Sequence, residues 1–304
     1  MKFSFSKGAR GFLVKQIQQA AGVPPDGIFG DVTQSAIAQI QRQAHLSPTG
    51  RVDAATLHAL GVPLPDDFPL CMNLVNVMEG TGFGDCNETD IDGAGLTWGI
   101  AGFTTRHGEV QKLLAAYLAH RPTVLGQWLP PFIERKVWRM LKQPGATADE
   151  WKALFFTAEG RVYPAWQRAL RECGHDPLMQ TLQMQMARDR FWQSACNTAL
   201  KYGFASLQAR AFFLDVAVQN GGWKEKHHVL AERTVQWHSP NEPVRLQAAA
   251  RVVAACAIPR WQADVKARKL AIAEGAGRVH GLAIDLTCYA LTAAPTFART
   301  PSSA

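Results

Sequence analysis

The chain has 304 residues, 47% of them hydrophobic and 19% charged, which is enough for two domains with substantial cores. No apolar run reaches the roughly 18 residues of a membrane-spanning helix, so no stable membrane insertion is expected. With 32 basic against 25 acidic residues the net charge is +7, which favours an anionic partner. The basic residues are scattered, with no Lys/Arg block and no helix-turn-helix or zinc-finger spacing, so nucleic acid is not expected as a partner.

The N-terminal segment Met1-Lys2-Phe3-Ser4-Phe5 has no apolar core of a secretory signal. The expectation is synthesis in a host cytoplasm, with release by some other agent. Six cysteines (Cys71, Cys86, Cys173, Cys196, Cys256, Cys288) form no Cys-x-x-Cys and have no histidines at zinc spacing. They read as reduced, packed thiols, with one option of a bridge between Cys71 and Cys86 after export. His227 and His228 are adjacent and point to different faces. No metal site and no cofactor are expected.

Residues 1–64 read as a compact helical module. Val14, Ile17 and Gln18 give one helical face, and Ala36, Ile37 and Ile40 a second. A short third helix runs through Thr56-Leu57 to Leu60. The turns between them echo each other: Asp26-Gly27-Ile28-Phe29-Gly30 with Thr33, then Thr49-Gly50-Arg51-Val52-Asp53 with Thr56. In each, glycine supplies an unusual turn backbone and a short apolar residue plugs the core. With Gly11, Gln41 and Leu46, this pattern resembles peptidoglycan-binding domain 1, a three-helix module. The resemblance implies bacterial peptidoglycan as partner.

Residues 65–70 form a Pro-rich connector. From residue 71 to 292 the period is mostly helical, clearest in Gln111–Leu118, Leu182–Leu200, Leu207–Val218 and Val244–Ala257. Leu96–Thr104 is the one strong strand candidate. The fold class is therefore mainly α (α+β), with one small sheet. Residues 293–304, rich in Ala, Thr, Pro and Ser, read as a loose tail.

Glu79 closes the apolar stretch Leu74-Val75-Asn76-Val77-Met78, and Asp92 opens the Gly-rich segment Asp92-Gly93-Ala94-Gly95-Leu96-Thr97-Trp98-Gly99-Ile100-Ala101-Gly102-Phe103-Thr104. Glycoside hydrolysis uses an acid on the leaving oxygen and a carboxylate on the opposite face of the sugar. An acid needs an apolar setting to keep its proton, which Glu79 has and Glu88 lacks. Asp90 and Asp85 remain rivals to Asp92 as base, and Asp92 can also be a turn residue capping the strand. This segment, with Ala211–Gly221 and Ala187–Phe191, resembles glycoside hydrolase family 46, the chitosanases, of the lysozyme superfamily. The resemblance implies a two-lobed, lysozyme-like helical domain, Glu79 as general acid, Asp92 as general base, Thr97 positioning the attacking water, and inversion at the anomeric carbon.

Trp98 and Trp223 are candidate sugar-stacking rings, with Asn220 at the adjoining helix end, while Trp138, Trp166, Trp192 and Trp261 read as core. Asp215, on an apolar helix, reads as a structural ion pair with Arg188, Arg190 or Arg210. The combined expectation is a monomeric cell-wall lytic glycosidase of endolysin type, a muramidase acting on peptidoglycan after holin-type release from a phage-infected cell. The alternatives are a chitosanase carrying a wall-binding module and a non-catalytic wall-binding or structural phage protein.

Overall fold

The computed structural model describes residues 4–80, 82–90, 93–142 and 145–291. It divides into two compact units, one made of Met1–Met78 with Arg190–Ala304 and the other of Glu79–Asp189. Asp92 and the tail at 293–304 lie outside the described residues.

The first unit begins with α1 (Phe12–Ala20), α2 (Asp31–Gln43) and α3 (Ala54–Ala59). Phe5, Val14, Ile17, Phe29, Ile37, Val52 and Leu57 form their core. The echo in the turns has a physical basis in two buried glutamines. Gln18 Nε2 reaches Asp26 Oδ1 at 2.7 Å, Ile28 O at 3.0 Å and Thr33 Oγ1 at 3.0 Å, while its Oε1 accepts from Gly27 N at 2.8 Å. Gln41 repeats the pattern with Thr49 Oγ1 at 3.4 Å, Arg51 O at 2.7 Å, Thr56 Oγ1 at 2.9 Å and Gly50 N at 2.9 Å. Each hub satisfies a buried amide, whose desolvation would otherwise be costly. Gly27 (φ 76°) and Gly50 (φ 67°) hold the left-handed backbone that presents their N–H to the hub.

Helix α4 (Asp67–Glu79) begins inside the segment read as a connector, and Phe68 and Leu70 are already buried. From Leu70 to Met78 every residue is buried, as in a helix covered all round. One side of it meets the module through Asn73. The first turn of α1 has no side-chain cap of its own, because Gly11 stands at its N-cap. Asn73 Oδ1 supplies the missing acceptor to Leu13 N at 3.0 Å, and its Nδ2 donates to Arg10 O at 2.8 Å. A Cβ on Gly11 would lie 2.3 Å from Asn73 Oδ1, so only glycine admits this approach.

The second unit contains β1 (Thr97–Trp98), β2 (Phe103–Thr104), α5 (Glu109–His120), α6 (Pro131–Lys142), α7 (Ala148–Phe155), α8 (Pro164–His175) and α9 (Pro177–Ala187). The single strand expected over Leu96–Thr104 is a hairpin, with Thr97 opposite Thr104 and Trp98 opposite Phe103. Gly99 (φ 82°) and Gly102 (φ 61°) turn the chain between the two strands, which is why the run cannot stay extended. The helix expected over Leu182–Leu200 is interrupted by a π turn at residues 188–192.

The chain returns to the first unit with α10 (Gln193–Lys201), α11 (Leu207–Asn220), α12 (Glu225–Glu232), α13 (Glu242–Ala255), α14 (Gln262–Glu274), β3 (Ala276–Val279) and β4 (Leu282–Asp285). The second hairpin was not anticipated from the sequence. Its turn, His280 (φ 48°) and Gly281 (φ 80°), has both central residues at positive φ, the two-residue connection that suits strand twist. Beyond it, Tyr289 pairs with Phe5, which also bridges to Val52.

Asn73→Ala removes both bonds and leaves the buried Leu13 N–H and the part-buried Arg10 C=O without these partners. It is expected to cost about 2–3 kcal/mol in urea unfolding. A loss below about 0.5 kcal/mol would show that the cap contributes little.

Candidate active site

Glu79 is the last residue of α4 and is half-buried, directly after the buried Val75, Val77 and Met78. Gly80 follows at φ 69°, the left-handed residue that ends helices. A polar network inside the first unit reaches the peptide just before Glu79. Asp215 on α11 is fully buried, and Arg268 and Lys269 on α14 are buried with it. Arg268 Nε donates to Asp215 Oδ1 at 2.8 Å and its Nη2 bonds the same oxygen, while Lys269 Nζ bonds Asp215 Oδ2. Lys269 also reaches Gln219 Oε1 at 2.7 Å, and Arg268 Nη1 reaches Met78 O at 3.5 Å. The ion-pair reading of Asp215 therefore holds, but with different partners from those expected. Arg210 pairs instead with Asp67 at 2.6 Å.

Burial by itself would raise the Asp215 carboxyl, but Arg268 and Lys269 outweigh it and hold it below the ordinary carboxylate range. With the folded-state value lowered, the carboxylate's stabilising contribution is present at neutral pH and is lost as pH falls through that value.

Thr97 and Trp98 occupy opposite faces of β1. Thr97 is half-buried, whereas Trp98 is fully buried. The expected sugar-stacking role of Trp98 does not fit, because neither ring face is open; the alternation of the strand turns this ring into the core. Trp261 departs in the other direction. It was expected in the core but is 53% exposed, with the Arg260 guanidinium 5.3 Å from its ring centre. Trp166 is buried as expected.

Asn220 ends α11 and is half-buried, followed by Gly221 at φ 68°. Trp223 joins an aromatic cluster: it stacks on Trp237 at 5.5 Å and 11°, and meets Phe213 at 5.7 Å and Tyr202 at 5.8 Å. Asn220 Oδ1 and Trp223 Nε1 are buried atoms with no hydrogen-bond partner among the described residues. His227 in the same cluster accepts from Lys224 N at 2.9 Å. Its burial, with Lys226 and Lys224 nearby, pushes its pKa down to about 4, so it is a neutral structural group near pH 7.

The two rivals to Asp92 are both engaged. Asp90 Oδ2 bonds Lys152 Nζ at 2.7 Å, and its Oδ1 accepts from Gly95 N at 2.9 Å. Desolvation would raise this carboxyl, but the Lys152 and Gly95 bonds prevail and lower it. Asp85 Oδ2 accepts from Gly82 N at 2.6 Å and closes a turn. The cysteines are free thiols, so the suggested Cys71–Cys86 bridge is not formed.

Two family matches cover most of the chain. A putative peptidoglycan binding domain matches residues 11–60, and glycosyl hydrolase family 46 matches residues 83–243, more than half of the sequence. The chain belongs to glycosyl hydrolase family 46, joined to an N-terminal peptidoglycan-binding module, and is a glycosidase by class. Among solved structures it is similar to the family 46 chitosanase of Gynuella sunshinyii in complex with chitotetraose, with a TM-score of 0.51 and 16% identity over 70% of this chain and 89% of that one. It is also similar to a native chitosanase from Bacillus subtilis MY002, with a TM-score of 0.47 and 19% identity over 70% and 89% of the two chains. At such identities the likeness is one of fold. No curated protein matches the chain.

Asp215→Asn leaves Arg268 and Lys269 buried without their counter-charge and is expected to destabilise the protein by about 3–5 kcal/mol. In the wild type, the linked loss of stability should appear only on the acid side, below about pH 4. Denaturant titrations at pH 7 and at lower pH check both. A variant as stable as wild type at pH 7 would remove the network from its place under α4.

Proposed function

We propose that the protein hydrolyses the β-linked amino-sugar backbone of a wall-associated polymer, with glucosamine-containing chains as the substrate class. The observation that carries this reading is Glu79, a half-buried carboxyl that follows the buried run Leu70–Met78 of α4, just upstream of the family 46 segment that contains Asp92 and Thr97. Glu79 protonates the leaving oxygen, Asp92 draws a proton from water on the other face of the sugar, and the Thr97 hydroxyl orients that water. This is single displacement with inversion. Asp90 is less suited to be the base because both of its oxygens are already bonded.

The structures with similar folds are chitosanases, one of them in complex with chitotetraose, which favours glucosamine linkages. The module at residues 11–60 favours a second reading, in which the polymer is peptidoglycan and the enzyme a muramidase.

The test pairs clearing of purified walls with reducing-end release from chitosan, for wild type and Glu79→Gln. Loss of the acid proton is expected to lower kcat by about a thousandfold or more on the true substrate. Equal turnover by the two proteins would discard Glu79 as the acid. Fragment mass spectrometry separates the readings: glucosamine oligomers support the first, and muropeptides with a reducing N-acetylmuramic acid end support the second.

A further inference from the structure

Helix α6 carries a concentration of positive charge that its own surroundings leave unanswered. Of its 12 residues four are cations, Arg135, Lys136, Arg139 and Lys142, and one is an acid, Glu134. At about 100° per residue, the four cations and Phe132 fall on one arc of about 120°. All five are exposed. Val137 and Met140, outside that arc, are buried, and Ile133, Trp138 and Leu141 are half-buried. The apolar face of the helix is therefore packed against the protein, and the cationic stripe faces outward.

Among the described residues, none of the four cations makes an ion pair. Glu134 does not neutralise them, because it turns toward Gly126. A Cβ on Gly126 would lie 2.8 Å from Glu134 Oε2, and Glu134 Oε1 is a buried atom. The spacing also works against the helix itself. Arg135 and Arg139 stand at i,i+4, and Arg139 stands at i,i+3 to both Lys136 and Lys142, like-charge pairs that destabilise a helix. The helix dipole favours Arg139 and Lys142 in the last turn, but offers little to Arg135 and Lys136 further from that end. A stripe held against its own repulsion points to a polyanion bound from outside.

The chemistry of the stripe selects among polyanions. Single-stranded nucleic acid is held where aromatic rings alternate with cations, so that bases stack. Here Phe132 stands alone at one end, and Trp138 is half-buried with its Nε1 donating to Pro122 O at 3.2 Å. A bilayer takes an interfacial helix by its apolar face, which in α6 is already packed. A linear chain of phosphates joined by polyols needs neither stacking nor insertion. It needs cations in line, and the stripe supplies them over about 10 Å from Arg135 to Lys142. The match of residues 11–60 to a peptidoglycan binding domain also favours a wall polymer.

We propose that the Arg135–Lys142 face of α6 is a docking surface for the polyol-phosphate polymers of a bacterial wall. This ligand is distinct from the proposed glucosamine substrate, whose protonated amines the stripe would repel.

The test titrates labelled poly(glycerol phosphate), free of peptidoglycan, with the full chain at about 50 and 200 mM salt. One variant combines Arg135→Gln, Lys136→Gln, Arg139→Gln and Lys142→Gln. A charge-matched control combines Arg233→Gln, Arg251→Gln, Arg260→Gln and Lys266→Gln, four exposed cations of the first unit. Wild type should bind, and about tenfold more weakly at the higher salt. The stripe variant should lose about tenfold or more in affinity and the control less than about threefold. Without polymer the stripe variant should melt at or above wild type, since repulsion within α6 is relieved. Polymer should raise the melting temperature of wild type and control but not of the stripe variant. Absence of binding by wild type at the lower salt overturns the assignment. Equal losses in the two variants also overturn it, because net charge alone would then account for binding. A stripe variant that melts well below wild type shows the cations to be structural and overturns it too. Tighter binding of a single-stranded oligonucleotide or of phosphatidylglycerol vesicles, lost in the stripe variant, overturns the choice of polymer. Binding is read without turnover, so the result is independent of the role proposed for Glu79.

Discussion

Asp215 sits on a helix where, from Leu207 to Ala217, every other residue except Arg210 is buried and nearly all are apolar. A lone carboxylate there would be prohibitively costly, and so would Arg268 or Lys269 alone at their positions on α14. Together the shared carboxylate offsets much of the cost of burying the two cations, and further donors of these cations reach Gln219 and the carbonyl of Met78. A buried network of this kind adds little net stability compared with apolar packing, but it admits only one arrangement of its donors and acceptors. The consequence is local: the last turn of α4 is tied by a guanidinium that cannot move without losing both of its bonds to Asp215. A carboxyl at the next residue starts from a fixed peptide.

The same helix explains why the module belongs to the first unit. Asn73 caps α1, and Glu79 stands six residues further along α4, a rise of about 9 Å. The side chain that caps the module's first helix and the proposed acid therefore lie on one helix. The twin glutamine hubs make the module internally rigid, so the cap at α1 meets a body that does not yield. A mutation in the module's core would be felt at α4 through Leu13, Arg10 and Gly11, before any ligand is considered.

How much of this was legible in the sequence depended on whether the deciding interaction was local. The module's turns were legible because Asp26-Gly27 and Thr49-Gly50 announce their own backbone; Gln18 and Gln41 were legible as part of the module's pattern, but not as the hubs that bind these turns. Asp215 announced a buried ion pair, yet its partners lie more than fifty residues away on α14, and nearer arginines were the natural guess. The adjacent Arg268 and Lys269, running directly into the apolar Leu270-Ala271-Ile272-Ala273, were the available signal. The Leu96–Thr104 run has strand composition throughout, and only the positive-φ demand of Gly99 and Gly102 breaks it into a hairpin. Trp98 and Trp261 exchanged places for the same reason: burial of a ring is settled by which face the tertiary structure covers, and neither strand alternation nor helical spacing reveals that alone.

The hairpin also bears on the choice among the acids of residues 85–92. Asp90 carries a lysine on one oxygen and a backbone amide of the glycine-rich segment on the other, so using it as a base would release Gly95 and uncover Lys152. Its lowered pKa is a measure of how strongly that arrangement holds the ionised form, and a base held so firmly is a poor acceptor of a proton from water. Asp90 instead fixes Gly95, two residues before Thr97, while Asn87 fixes Thr97 itself through both backbone groups. Asp90 and Asn87 thus serve the geometry of one threonine, and the water-orienting role proposed for its hydroxyl is the kind whose value depends on such fixing, because a misplacement of about 1 Å can cost a hundredfold in rate.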